Sequence, residues 1–121
     1  LGVFLEQSNF LLKGDIPEEL LEEAKIYSLQ RPKQESCGIF TLERGKYEFI
    51  PLENLSASPE KTFIINPAYI LAKNIYCIFH SHINISEKPS FSDKQNSSML
   101  GLPFLIYSLK TDCFYFHEIS V

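Results

Sequence analysis

Residues Ile75-Tyr76-Cys77-Ile78-Phe79 form an almost continuous apolar run, and His80-Ser81-His82 follow at once. A short run of this kind predicts a central strand, covered on both faces of a sheet. Side chains two apart on a strand point the same way, so His80 and His82 project together where the strand ends. Two imidazoles placed like this can share a metal ion. A bare His-x-His is weak evidence, because such pairs are more often surface or hydrogen-bonded core residues. Position strengthens it: in sheets that carry helices, sites gather where strands end and loops begin.

The segments on either side supply the rest of such a sheet. Upstream, Cys37 to Leu42 and Tyr47 to Leu52 predict two strands, with Arg44-Gly45-Lys46 as their turn. Thr62 to Ile65 is a short strand candidate, and Asn66-Pro67 opens a helix through about Lys73. Farther upstream, Asp15-Ile16-Pro17-Glu18 reads as a helix start, with Asp15 as N-cap, Pro17 in the first turn and Glu18 as capping-box partner. Leu20, Leu21, Ala24 and Leu29 give an apolar stripe for a helix from Ile16 to Leu29, which Arg31-Pro32 ends. Leu1 to Leu12 reads as an extended or hairpin-forming lead-in. Downstream, Ile83 to Pro89 is a polar loop and Ser90 to Leu100 a helix. Phe104 to Leu109 and Cys113 to Ile119 form an antiparallel pair around Lys110-Thr111-Asp112. The pattern predicts an α/β fold, a mixed sheet flanked by helices.

Composition fits one globular domain over residues 1–121. Of the 121 residues, 45% are hydrophobic and 21% charged, which excludes a disordered or fibrous chain. The apolar runs fall far short of the ~20 residues of a membrane span, and the first residues do not read as a signal peptide. Net charge is 11 − 15 = −4, a poor match for nucleic-acid phosphates. Cys37, Cys77 and Cys113 are odd in number and far apart, so they suit neither a disulfide framework nor a cysteine-rich zinc site. Cys77 and Cys113 read as buried structural thiols, in a chain suited to a reducing, cytoplasmic compartment.

Two more pieces bear on chemistry. Ser90-Phe91-Ser92-Asp93 is a capping box, with Ser90 as N-cap and Asp93 at the third helical position. Asp93 can equally supply a carboxylate ligand, and the readings are compatible because a helix start fixes where both side chains point. Glu35, in a loop after Pro32, is by itself an ordinary solvated charge.

Taken together, Glu35, His80-x-His82, seven residues, Ser90, two residues and Asp93 resemble the JAMM motif of the MPN-domain zinc metalloproteases. Glu35-Ser36-Cys37-Gly38 is similar to the E-x-C-G stretch of prokaryotic members. Pro51-Leu52-Glu53-Asn54 and Phe63-Ile64-Ile65-Asn66-Pro67 resemble the family's middle segment. Gly101-Leu102-Pro103-Phe104 and the insertion-free build resemble the metalloprotease-like domain of phage tail assembly proteins of the lambda K type. Ile83 departs from the family, where many members have proline.

The resemblance implies an MPN/JAMM-type, cytidine-deaminase-like architecture. It also implies a zinc ion held by His80, His82 and Asp93, with Glu35 as general base and acid and Ser90 as an oxyanion-stabilising hydroxyl. Two histidines and a carboxylate are good zinc ligands that leave a fourth position for water. The implied activity is hydrolysis of a peptide or isopeptide bond in a protein or peptide substrate, such as a ubiquitin-like protein or a phage tail protein. It carries an expected setting in a bacterial or phage-infected cell, with association with the virion tail as an alternative. A non-catalytic tail-assembly or scaffold domain of the same fold is the second reading. A zinc nucleoside deaminase would need H-x-E and P-C-x-x-C, and this sequence has neither. His117 has no matched role and reads as a structural or surface residue.

Overall fold

The apolar run is the middle of the sheet. The computed structural model describes residues 5–7, 16–72 and 74–119. Strands β1 (Leu5–Gln7), β2 (Cys37–Glu43), β3 (Lys46–Leu52), β4 (Ile75–His82), β5 (Phe104–Ser108) and β6 (Cys113–His117) pair in the order β1-β6-β5-β4-β2-β3. The β4–β5 and β1–β6 pairs are parallel and the rest antiparallel. Helices α1 (Glu18–Leu29), α2 (Pro67–Ala72) and α3 (Phe91–Leu100) complete the predicted mixed α/β fold.

β4 is apolar from Ile75 to Phe79 because both of its faces are covered there. Cys77 and Phe79 pack with Phe40, Leu105 and Phe116, beneath Leu21 and Ala24 of α1. Ile78 packs on the other face with Ile39, Phe104 and Ile106, and Ile70 of α2 covers that cluster. Burying one such side chain contributes ~1.5–3 kcal/mol, so two filled faces anchor β4 firmly. The strand runs on through His82, and its alternation places both imidazoles on the Ile78 face.

Several boundaries differ from the sequence reading. The α1 helix begins at Glu18, with Pro17 in the N-cap position and no side-chain cap. The expected N-cap, Asp15, lies outside the described residues, as does most of the Leu1 to Leu12 lead-in; its residues Leu5–Gln7 form β1. The buried face of α1 is Leu21, Ala24 and Ser28, while Leu29 is exposed, because the Ser28 hydroxyl donates to the Ala24 carbonyl and is tolerated inside. β2 and β3 join through a two-residue turn, with Arg44 and Gly45 both at positive φ (54° and 78°). That geometry matches the right-handed twist of a hairpin. Thr62 to Ile65 is not a strand, because the Asn54 side chain takes up the Ile64 N–H that a ladder would have used. Cys77 is fully buried as expected, but Cys113 is half-exposed at the start of β6. The β5–β6 turn is tied to α1 through Asp112, which accepts from the Tyr107 hydroxyl (2.6 Å) and pairs with Lys25 (2.9 Å).

Candidate metal centre

The C-terminal end of β4 and the N-terminal end of α3 meet at one point. There the ligand atoms of His80, His82 and Asp93 all lie within 4.8 Å of one another, and all three residues are buried. His80 Nε2 is 3.1 Å from Asp93 Oδ1, and His82 Nε2 is 3.0 Å from Asp93 Oδ2.

Local chemistry aims each side chain. His82 Nδ1–H donates to the Ser86 carbonyl at 2.7 Å, which leaves Nε2 to face the carboxylate. Ser90 and Asp93 form the predicted capping box: the Asp93 N–H donates to Ser90 Oγ, and the Ser90 N–H to Asp93 Oδ2, both at 3.0 Å. Asp93 Oδ2 thus serves the helix start and faces His82 at once. Burial pushes the Asp93 carboxyl up, but His80, His82 and the Ser90 N–H outweigh it and hold it well below the usual carboxylate range. In His82 the hydrogen bonds to Asp93 and Ser86 overcome burial and raise the pKa. His80 goes the other way, lowered by complete burial despite Asp93.

His80 also tests the fit of a metal. It is completely buried, and neither ring nitrogen makes a hydrogen bond; Nε2 faces Asp93 Oδ1 out of line. A buried unsatisfied polar atom costs ~1–3 kcal/mol, so such a nitrogen asks for a partner. A cation among two imidazoles and a carboxylate supplies it, and that donor set suits zinc and similar divalent ions.

Glu35 lies at the edge of this centre, in the segment leading into β2. Its backbone is pinned from three sides. Its N–H donates to the Pro59 carbonyl (2.7 Å), its own carbonyl accepts from Asn54 Nδ2 (2.8 Å), and the next residue, Ser36, is doubly bonded to Ser81. Ser81, between the two histidines, accepts the Ser36 N–H on its hydroxyl (2.8 Å) and donates its own N–H to the Ser36 carbonyl (2.9 Å). Burial raises the Glu35 carboxyl to about 8, with His82 pulling it down and Asp93 pushing it up. The structure therefore brings Glu35, His80, His82, Ser90 and Asp93 into one region. His117 is buried on β6 under the same face, and its pKa is lowered by burial.

No family model matches the chain. The chain is 32% identical over 79 residues to tail tip assembly protein K of Escherichia phage N15, across 62% of this chain and 32% of that protein. It is 26% identical over 101 residues to a probable TtuB-protein conjugate cleaving protease of Thermus thermophilus, across 76% of this chain and 68% of that protein. The chain thus spans about a third of the phage protein and about two thirds of the Thermus one. The solution structure of protein DSY2949 from Desulfitobacterium hafniense shares the fold, with a TM-score of 0.59 at 23% identity, over 97% of this chain and 92% of that one.

Several supporting residues escaped the sequence reading. The loop after His82 is held by three bonds from β5 and the turn that follows it. The Ser108 hydroxyl donates to the Ile85 carbonyl, the Thr111 hydroxyl to Glu87, and the Leu109 N–H to the His82 carbonyl. Asn54, Ser81 and Ser108 carry no signal in isolation, since each is an ordinary polar residue whose bond to Glu35, Ser36 or Ile85 respectively spans 19 or more positions.

Proposed function

We propose that this chain is the catalytic domain of a JAMM-type zinc metallopeptidase that hydrolyses a peptide or isopeptide bond in a protein substrate. The observation that carries the reading is the convergence of three buried residues, His80, His82 and Asp93, whose ligand atoms lie within 4.8 Å of one another. His80, His82 and Asp93 would hold the zinc ion, which when bound acts as a Lewis acid toward a carbonyl and lowers the pKa of water. Glu35 takes the proton of the attacking water and delivers it to the leaving amine. Burial raises its carboxyl to about 8 and a neighbouring cation would lower it, which suits a group that both takes up and releases a proton. Ser90 Oγ already accepts the Asp93 N–H, so its hydroxyl proton is left to donate to the oxyanion that develops on the substrate.

The relatives' names support a protein-directed role. One speaks of cleaving a protein conjugate, the other of tail tip assembly, so a protein conjugate or a phage tail protein is the substrate class we favour. Such a protein acts inside a bacterial or phage-infected cell, or on the assembling tail. Among the described residues, no helix is long and apolar enough to cross a membrane.

The test combines elemental analysis with peptide cleavage on wild type, His80→Ala and Glu35→Gln. The reading expects about one zinc per wild-type chain and loss of metal in His80→Ala. Glu35→Gln should retain zinc with turnover down ~10²–10⁴-fold. Zinc without turnover in the wild type would instead favour a non-catalytic tail-assembly domain, the reading supported by the likeness to tail tip assembly protein K. A wild type that takes up no zinc even when it is added would end the metallopeptidase reading.

A further inference from the structure

A cavity of about 440 Å³ opens on the same face of the sheet, between α2, α3 and the segment before α2. Its size falls in the range of ligand-binding pockets. Three of its lining residues come from three different segments and stand open to solvent: Leu71 of α2 (87% exposed), Met99 of α3 (83%) and Ile64 (53%). Single exposed apolar residues need no explanation, but three around one opening mark a site of contact.

The cavity abuts the candidate metal centre, with the rings of Phe63 and Phe104 between it and His80. Phe63 lines it and also stacks on the His80 ring, with centroids 4.4 Å apart and planes 19° from parallel. Phe104 lines it too, and meets the same imidazole edge-on at 5.4 Å. Its α3 wall belongs to the helix that carries Asp93, so cavity and ligands keep a fixed relation. Asn96 is its sole polar lining residue among those described. A charged occupant would lose its hydration there and find no counter-ion. An apolar occupant loses nothing and covers Leu71 and Met99, and the flexible Met99 thioether can adapt to differing shapes.

We infer that this groove is the specificity subsite of the centre, taking a large aliphatic or aromatic side chain of a polypeptide substrate next to the bond presented to His80, His82 and Asp93. The inference rests on the metallopeptidase reading for what the groove serves, but the binding itself can be measured without turnover. The probes are two capped alanine pentapeptides, one with leucine and one with aspartate at the centre. Each is titrated into the ¹⁵N-labelled zinc-supplemented wild type, Met99→Glu and Leu71→Glu proteins. Both substituted side chains are solvent-exposed, so the fold should be retained, and melting temperature checks this. The leucine peptide should shift the amides around Ile64, Leu71 and Met99, and either variant should weaken its binding by about tenfold or more. The aspartate peptide should leave those amides unmoved.

Cleavage of a peptide library by the same proteins gives the second readout. Products should carry a large apolar residue at a fixed distance from the cut, and the variants should raise KM more than they lower kcat. Leucine-peptide binding in the groove without any cleavage would remove the metallopeptidase reading and leave an apolar peptide site standing. Cleavage indifferent to side-chain type, equal binding of both peptides, or self-association of the chain that Met99→Glu abolishes would each overturn the subsite.

Discussion

Asn54 offers the sharpest test of how the candidate centre is held. Its side-chain amide donates to the carbonyls of Glu35 (2.8 Å), Thr62 (2.9 Å) and, more weakly, Pro59 (3.4 Å). Its Oδ1 accepts the N–H groups of Ser56 (3.0 Å) and Ile64 (3.1 Å). With carbonyls on one side and N–H groups on the other, only one orientation of the amide works. Four of these bonds have good length, and each contributes ~0.5–1.5 kcal/mol net. Water can replace the exposed ones, to Thr62 and Ile64, so Asn54→Ala should cost about 1–3 kcal/mol, less than their sum. Asn54→Asp keeps the acceptor but turns a second oxygen toward the carbonyls, so it should cost at least as much. The assay is urea denaturation of both variants, with the Glu35 amide shift recorded by NMR in the native state. Loss of stability together with a displaced Glu35 amide is the expected result. Both variants within ~0.5 kcal/mol of wild type, with the Glu35 amide unmoved, would refute the argument that this side chain organises the loop.

Three further outcomes follow from the geometry. Gly38→Ala should destabilise by ~1–3 kcal/mol in denaturant unfolding, because the added Cβ would sit 2.6 Å from the Ile50 carbonyl oxygen; a neutral result would show that β2 and β3 separate freely. Ser90→Asp should retain the helix cap and the melting temperature, yet be at least as slow in peptide cleavage as Ser90→Ala, since a carboxylate there opposes a developing negative charge; recovered activity would make Ser90 a cap only. Asp112→Asn keeps a residue type that tolerates the positive φ of 57° while removing the charge that Tyr107 and Lys25 hold. The hydrogen bonds from Tyr107 and then Lys25 lower the Asp112 pKa in the folded protein, so its stabilisation is present above the unfolded value of ~3.9 and fades as pH falls through the folded value. The side chain is well exposed, so the stability gap between wild type and variant should be under ~1 kcal/mol at pH 7 and close at acid pH; a gap that persists there would exclude a charge effect.

The fold was legible wherever the pattern was set by burial. β4 reads as central because both of its faces are filled, and the β2–β3 and β5–β6 pairs read from their turns. Legibility failed where one side chain overrode local preference. Ile64 looks like a strand residue, but its N–H belongs to Asn54, ten positions earlier. Leu29 fits the stripe of α1, yet Ser28 takes the buried place because its hydroxyl can be satisfied by the helix's own carbonyl. Long-range polar bonds of this kind leave no periodic trace, so neither Asn54 nor Ser81 could have been given its supporting role in advance.

The candidate ligands were legible for a different reason. His80 and His82 share a face through strand period alone, and Asp93 is placed by a helix start that the sequence also announces. Cap and ligand are compatible roles because the carboxylate has two oxygens. Oδ2 accepts the Ser90 N–H and faces His82, while Oδ1 faces His80. The positive end of α3 also favours the ionised carboxylate that a cation requires. The cap is therefore what makes Asp93 a fixed and charged partner for the two imidazoles. Spacing carries this information because each of the three side chains is oriented by an element only a few residues long, whereas Glu35 depends on a loop that folds back through Asn54, Pro59 and Ser81. Alone, Glu35 is an unremarkable surface acid; its place beside the centre exists only after β2 has paired with β4.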